Sequence, residues 1–293
     1  MTANETSAHE TSAHGTGANG QVANGQVANG DPMAGGGTHP AYETRRVVTS
    51  AAAVVLEDNP SNMTLEGTNT WLLRGRDAAT SVVVDPGYLD TEHLERVVEA
   101  AGDVELILLT HHHPDHADGA PWLAERTGAP VRAFDPGLCI DGDPLGHGDL
   151  VRAGGLELTV LHTPGHCGDS VTLRFDHEGT THVLTGDTVL GRGTTVVEHI
   201  GDYLRSLEVL SELPAGSLGL PGHGPERTDL LETVEQYRRH RQQRLEEIRS
   251  ALRTLGEDAT PRQIVEHVYA DVDRALWPAA ESSVTAQLEY LRS

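Results

Sequence analysis

From residue 46 onward, short runs of β-branched and aliphatic residues alternate with turn-forming interruptions. Runs at 47–56, 70–73 and 81–84 are separated by Asn59-Pro60, Gly67 and Asp85-Pro86-Gly87, a pattern that predicts strands joined by turns. Between 90 and 101 the period changes: Leu94, Val97 and Val98 stand among charged residues at the spacing of one buried helical face. A short apolar strand at 105–109 follows. The pattern then predicts a helix at 117–127, strands at 130–134, 156–161, 170–175 and 181–185, and a helix at 202–212. Strands interspersed with helices indicate an α/β sandwich. Beyond Pro221-Gly222-His223-Gly224-Pro225 the pattern is helical, with a long charged stretch over 229–255 and shorter helices near 261–270 and 279–291. The expected organisation is a main domain at 43–228 followed by a small helical domain at 229–293.

Residues 1–42 read differently. They repeat Glu-Thr-Ser-Ala-His and Gln-Val-Ala-Asn-Gly units with almost nothing apolar to bury, so a disordered tail is expected, with His9, His14 and His39 as solvated residues.

Charge narrows the choice of partners. The 293 residues carry 44 acidic against 21 basic side chains, a formal charge of -23, and every basic residue is Arg. An extended basic footprint for duplex DNA is not expected. Cys139 and Cys167 alone do not make a disulfide framework, which favours a reducing compartment. The N-terminus lacks a basic stretch followed by an apolar one, and no run approaches the roughly 20 apolar residues of a membrane span. The expectation is a soluble, cytoplasmic protein with no membrane partner; oligomeric state is left open.

Candidate chemistry begins at His111-His112-His113-Pro114-Asp115-His116, directly after the apolar strand. Alternate residues of an extended segment point the same way, so His111 and His113 can present imidazoles to one side while His112 points away. Pro114 then bends the chain, and Asp115 and His116 can face a neighbouring position, so one loop can serve two cations. Imidazole and carboxylate suit zinc, and also iron or manganese. Three later residues also follow apolar strands next to glycine: His166 in Thr163-Pro164-Gly165-His166, Asp187 in Thr185-Gly186-Asp187, and His223 in Gly222-His223-Gly224. The competing account of the first cluster, surface histidines beside a turn, weakens with each.

Together these segments resemble the metallo-β-lactamase superfamily over about residues 46–226. The resemblance implies a four-layered αββα sandwich with two divalent metal ions at one edge. It implies His111, His113 and His166 for the first ion, Asp115, His116 and His223 for the second, and Asp187 bridging both. Asp85 matches a position that supports a ligand from behind, the alternative being a turn-forming Asp before Pro-Gly. In such a site two cations share a hydroxide, and Asp115 orients it and carries the proton to the leaving group. Cys167 is read as a packed residue. The remaining histidines, among them His93 and His199, are read as structural or exposed.

The segments Asn59-Pro60-Ser61-Asn62, Gly67 to Leu73 and Asp202 to Leu207, with a C-terminal piece Trp277-Pro278-Ala279-Ala280-Glu281-Ser282-Ser283, resemble the lactamase-like protein 2 branch, which carries a winged-helix-like C-terminal domain. That resemblance implies either hydrolysis of thioesters and other small acyl compounds or cleavage of single-stranded RNA. An acidic chain with no basic track favours the small acyl substrate. RNA would call on Arg238, Arg239, Arg241 and Arg244, for which a solvated helix with pairs such as Glu235 and Arg239 is the favoured reading. A non-catalytic metal-binding module is the third alternative. Thr68, Asn69, Arg192 and Tyr203 are candidate substrate contacts, with a structural role open for each.

Overall fold

The computed structural model describes residues 41–270, 274 and 277–292, so residues 1–40 of the expected disordered tail lie outside the described residues. Two sheets form the centre. The first comprises β1 (Arg46–Val47), β2 (Ala52–Leu56), β3 (Asn69–Leu73), β4 (Ser81–Val84), β5 (Val104–Leu108) and β6 (Val131–Arg132), in that order. Its first four strands run as an antiparallel meander, and β4, β5 and β6 are parallel. Parallel neighbours need crossovers, which are supplied by α1 (Thr91–Ala101) and by the pair α2 (Pro114–Ala117) and α3 (Ala120–Thr127). The second sheet is ordered β11-β10-β9-β8-β7, from β7 (Leu150–Ala153), β8 (Leu156–His162), β9 (Val171–His177), β10 (Thr180–Gly186) and β11 (Leu218–Pro221). Helix α4 (Ile200–Ser211) carries the chain from β10 to its parallel neighbour β11.

Both faces of both sheets are covered. Trp71, Leu73, Val84 and Leu108 meet Leu158, Val160, Leu173 and Phe175 between the sheets. The outer face of the first sheet, with Val55, Val83 and Ile107, packs on Val97 and Leu123. The outer face of the second buries Val183 against Leu207, Leu210, Val234 and Tyr237. The layer order is therefore αββα, as expected. Double coverage explains why β2, β3 and β4 are buried at every position and show continuous apolar runs in place of alternation.

Several boundaries differ from expectation. The run 47–56 is a hairpin, because Val48 and Thr49 both donate to the Ala52 carbonyl and fold β1 back on β2. The strand β7 was not anticipated; its exposed Leu150 and Arg152 alternate with buried Val151 and Ala153 over only four residues, too short to stand out. The expected helix 117–127 is two pieces interrupted at Gly119, where an added Cβ would lie 2.8 Å from the Tyr88 carbonyl oxygen.

Helix α5 (Leu230–Leu255) is shared between two cores. Its first half packs on α4, and its second half, with Ile248 and Leu252, packs on α6 (Pro261–Val268) and α7 (Trp277–Arg292). Among the described residues no helix is long and apolar enough to cross a membrane.

This topology selects where the site falls. The C-terminal ends of β4, β5, β10 and β11 point to one edge, the crevice where open α/β sheets bind ligands. There the two sheets are joined by Val171 N–H to the Thr110 carbonyl at 2.8 Å and by Asn69 N–H to the Gly222 carbonyl at 2.8 Å.

Candidate metal centre

His111 to His113 leave β5 extended, with His113 at φ -61°, ψ 143°, and Pro114 starts the short helix α2. The local geometry follows the sequence argument. The extended step aims His111 Nε2 and His113 Nδ1 at a common point 3.1 Å apart, and His166 Nε2 arrives from the β8–β9 loop 3.0 Å from His113 Nδ1. Three ligands of one tetrahedral zinc ion would have nitrogens about 3.3 Å apart, given metal–nitrogen distances of roughly 2.0–2.1 Å. The helical turn at Pro114 brings Asp115 and His116 round to a second group with His223. In it His223 Nε2 lies 3.2 Å from His116 Nε2 and 3.2 Å from Asp115 Oδ2.

Asp187 reaches both groups. Its Oδ1 is 3.6 Å from His116 Nε2, and its Oδ2 is 3.4 Å from His223 Nε2 and 3.7 Å from His166 Nε2. Oδ1 is buried and accepts no hydrogen bond among the described residues. An unpaired buried carboxylate oxygen is expensive unless a cation serves it. Gly222 leaves the space open, since a Cβ there would stand 2.6 Å from Asp187 Oδ1 and 2.6 Å from His116 Cε1. Donor types, spacing, the orphaned oxygen and the glycine cradle all fit a pair of divalent cations.

The electrostatics agree. Burial works against charge on His223, yet the carboxylates of Asp187 and Asp115 reverse this and push its pKa up to about 10. His116, disfavoured by burial, is raised by Asp85 and Asp187. Asp187 is held well below the usual carboxylate range despite its burial, by His223 and His116. Burial and the neighbouring His116 keep His111 neutral, the form that binds metal. Positive charge is favoured where the carboxylates converge.

Each imidazole that meets the centre with Nε2 is held through its other nitrogen. Asp85, carried past the end of β4 at φ 53°, accepts from His116 Nδ1 at 2.9 Å, from the Thr110 hydroxyl at 2.7 Å and from Thr110 N–H at 2.8 Å. Thr110 Oγ1 in turn lies 3.0 Å from His111 Nδ1. His223 Nδ1 donates to the Gly67 carbonyl at 3.1 Å, and His166 Nδ1 to that of Val196 at 2.8 Å. Such contacts fix tautomer and ring orientation. Asp85 thus holds His116 and Thr110 in place as well as turning the chain. Thr110, Gly67 and Val196 were not anticipated; Thr110 stood beside the motif, but the two carbonyls left no trace in the pattern of side chains.

The expected substrate contacts separate. Arg192 remains at the surface, ion-paired with Glu66, and its side chain is 43% exposed. Tyr203, Thr68 and Asn69 all turn inward. Tyr203 is fully buried and donates its hydroxyl to the Thr188 carbonyl at 2.7 Å. Thr68 is fully buried, with Oγ1 accepting from Asn59 Nδ2, and Asn69 spends Nδ2 on the carbonyls of Pro221 and Gly224. Thr68 and Asn69 brace the loop that carries His223, and Tyr203 braces the chain after β10 at Thr188. His112 points away as expected and pairs with Asp169 at 2.7 Å. Cys167 is fully buried and its thiol pushed up by that burial, which fits a packed residue.

The arginines of α5 have partners within the protein. Arg238 and Arg239 pair with Glu235, Arg244 pairs with Glu247, and Arg241 is buried, donating to the Thr195 carbonyl.

Comparison with known proteins agrees with this geometry. Residues 63–241 match the Metallo-beta-lactamase superfamily, and residues 260–293 match the Beta-lactamase associated winged helix domain. A Beta-lactamase-like protein 2 homolog of Drosophila melanogaster is 34% identical over 264 residues, covering 83% of this chain and 88% of its own length. An Aspergillus chevalieri protein named atrochrysone carboxyl ACP thioesterase is 31% identical over 238 residues, covering 77% of this chain and 75% of its own length. A beta-lactamase domain protein from Burkholderia ambifaria shares the fold with a TM-score of 0.73 at 24% identity, covering 89% of this chain and 91% of that one. A family match across more than half of the chain, reinforced by relatives of similar length, establishes that this protein belongs to the metallo-beta-lactamase superfamily and carries the winged helix domain associated with it.

Proposed function

We propose that the protein is a dinuclear metal-dependent hydrolase acting on a thioester or related small acyl compound. The observation that carries this reading is the pair of donor groups sharing Asp187, with His111, His113 and His166 on one side and Asp115, His116 and His223 on the other. Zinc is the proposed metal, since buried imidazoles outnumber carboxylates and the nitrogen spacing suits a tetrahedral ion; iron and manganese remain the alternatives. Two such cations, when bound, lower the pKa of water towards neutrality and polarise the acyl carbonyl.

The chain's own residues then supply position and proton transfer. Asp115 is the partly exposed carboxylate of the group, set between the buried imidazoles and solvent. It is held below the usual carboxylate range because hydrogen bonding to His223 and the charge of His116 outweigh its burial. It is thus an anionic acceptor for the proton of the attacking water. As the water oxygen bonds to the acyl carbon and the carbon–sulfur bond breaks, Asp115 returns that proton to the departing sulfur, giving a carboxylic acid and a thiol. Arg192, exposed and ion-paired with Glu66, would meet an anionic group of the substrate on release from that pair.

Two features favour a small acyl substrate over a polyanion: the formal charge of -23 and the internal pairing of the α5 arginines. The thioesterase name of the Aspergillus chevalieri relative supports the same class. The test is to load the protein with zinc and incubate it with acyl-CoA, acyl-glutathione and unstructured RNA, using His113→Ala as control. Acyl thioester turnover that the control lacks is expected. Cleavage of RNA alone would replace the substrate assignment, and turnover of nothing would return the chain to a metal-binding module.

A further inference from the structure

We propose that helix α5 positions the metal ligand His166, with Tyr237 and Arg241 as positioning residues; the inference rests on the ligand role assigned to His166 above. The ring of His166 is oriented by residues 195 and 196, through the Val196 carbonyl at 2.8 Å and Thr195 Oγ1 at 3.1 Å. Both lie in the segment 188–199 between β10 and α4, which belongs to neither sheet and must satisfy its backbone elsewhere.

Helix α5 provides much of that satisfaction. The Tyr237 hydroxyl accepts from Leu190 N–H at 3.2 Å and donates to the Gly193 carbonyl at 2.8 Å. One turn further on, Arg241 donates to the Thr195 carbonyl at 2.5 Å, and its guanidinium lies 5.4 Å from the Tyr203 ring centroid. Residues i and i+4 share one helical face, so a single face of α5 grips the segment at 190, 193 and 195.

Arg241 is the telling member. It is 6% exposed, and among the described residues no carboxylate pairs with it and its buried Nε has no partner. A buried guanidinium held this way costs stability that an apolar side chain would not. What it secures is the carbonyl next to the group that orients His166. Because the far half of α5 packs on α6 and α7, the helix also ties the C-terminal unit to one ligand of one metal position.

The test is zinc affinity measured by competition with a chromophoric chelator, alongside thermal melting of the metal-free protein. Variants are Tyr237→Phe, Arg241→Met, Arg241→Lys and, as control, His166→Ala. Phe and Met are expected to weaken one of the two bound zinc ions by about 10-fold, the range for residues that orient a ligand, and to leave the other unchanged. Lys, which can still donate to the Thr195 carbonyl, should restore most of the loss. If both ions titrate as in the wild type in Tyr237→Phe and Arg241→Met while His166→Ala loses one, the positioning role is refuted. Equal weakening of both ions, or loss that only follows unfolding, marks α5 as scaffold and refutes it too. Retention of both ions by His166→Ala would instead refute the ligand assignment.

Discussion

Gly222→Ala isolates the geometry of the centre in one methyl group. Gly222 does not occupy the left-handed region, so alanine fits its backbone, and the whole perturbation is the added carbon, 2.6 Å from Asp187 Oδ1 and 2.6 Å from His116 Cε1. Ordinary contact begins near 3.4 Å, so each neighbour must yield by about 0.8 Å. Retreat of the backbone is blocked, because Gly222 N–H bonds the Gly186 carbonyl at 2.9 Å and its own carbonyl accepts from Asn69 at 2.8 Å. The cheap relief is rotation of the Asp187 carboxylate, which takes it away from its place between the two donor groups. The cost should therefore fall on metal binding more than on folding: overpacking typically contributes about 1–3 kcal/mol of destabilisation. Affinity for zinc should fall by 10-fold or more, with turnover down by about 100-fold if reacting groups shift by nearly 1 Å. Gly168→Ala is the control, since an added Cβ there meets nothing within 4 Å among the described residues and should change stability by less than about 0.5 kcal/mol. Calorimetry of the metal-free proteins and chelator competition separate the two effects. Wild-type zinc affinity in Gly222→Ala would show that Asp187 and His116 do not converge on a metal beside this glycine.

Further outcomes follow from the residues around the centre. Asp85→Asn keeps the shape but must aim an amide at groups that already donate, His116 Nδ1, Thr110 N and Thr110 Oγ1; a 10- to 100-fold loss of zinc affinity is expected, read by chelator competition. Glu57 is buried, and that burial pushes its pKa up to about 7, so below pH 4.5 both folded and unfolded forms hold the proton, while between 4.5 and 7 the unfolded form releases it first. Stability should fall as pH rises through that window, by at most about 3 kcal/mol and less where solvent screens the charge. Glu57→Gln can still accept from Asn59 and Tyr88 and should flatten the slope in urea unfolding at pH 5 and pH 8; an unchanged slope rules Glu57 out as its source. Arg239→Ala, which removes an exposed pair with Glu235, should alter stability by no more than about 0.5 kcal/mol and leave thioester turnover intact; a large drop in turnover would place this helix face in the substrate path.

The helices were legible where one face alone is buried. In α1 the spacing of Leu94 and Val97 marks the inward side, and Asp90 caps the first turn by accepting from Glu92 and His93 N–H. Strands were legible as apolar runs, but the hairpin within 47–56 and the short β7 were not. A strand buried on both faces has no alternation to mark its ends, and four residues are too few to show a period.

For the site, residue chemistry and short-range spacing were sufficient to nominate the ligands. His111 and His113 share a side because the chain is extended there, and Pro114 turns Asp115 and His116 towards another position; both are local effects that the sequence alone determines. The resemblance joined these to His166, Asp187 and His223, but their distances depend on strands far apart in the chain ending at one edge. Tyr203, Thr68 and Asn69 show the reverse. Their side chains are of a kind that binds substrates, and only tertiary packing, by giving each hydroxyl or amide an internal partner, turned them into supports. Backbone carbonyls at Gly67 and Val196 orient His223 and His166 while carrying no side-chain signature at all. Which groups are proposed to meet the metals was therefore legible in the chain, and which groups hold their side chains was decided by how distant loops pack around them.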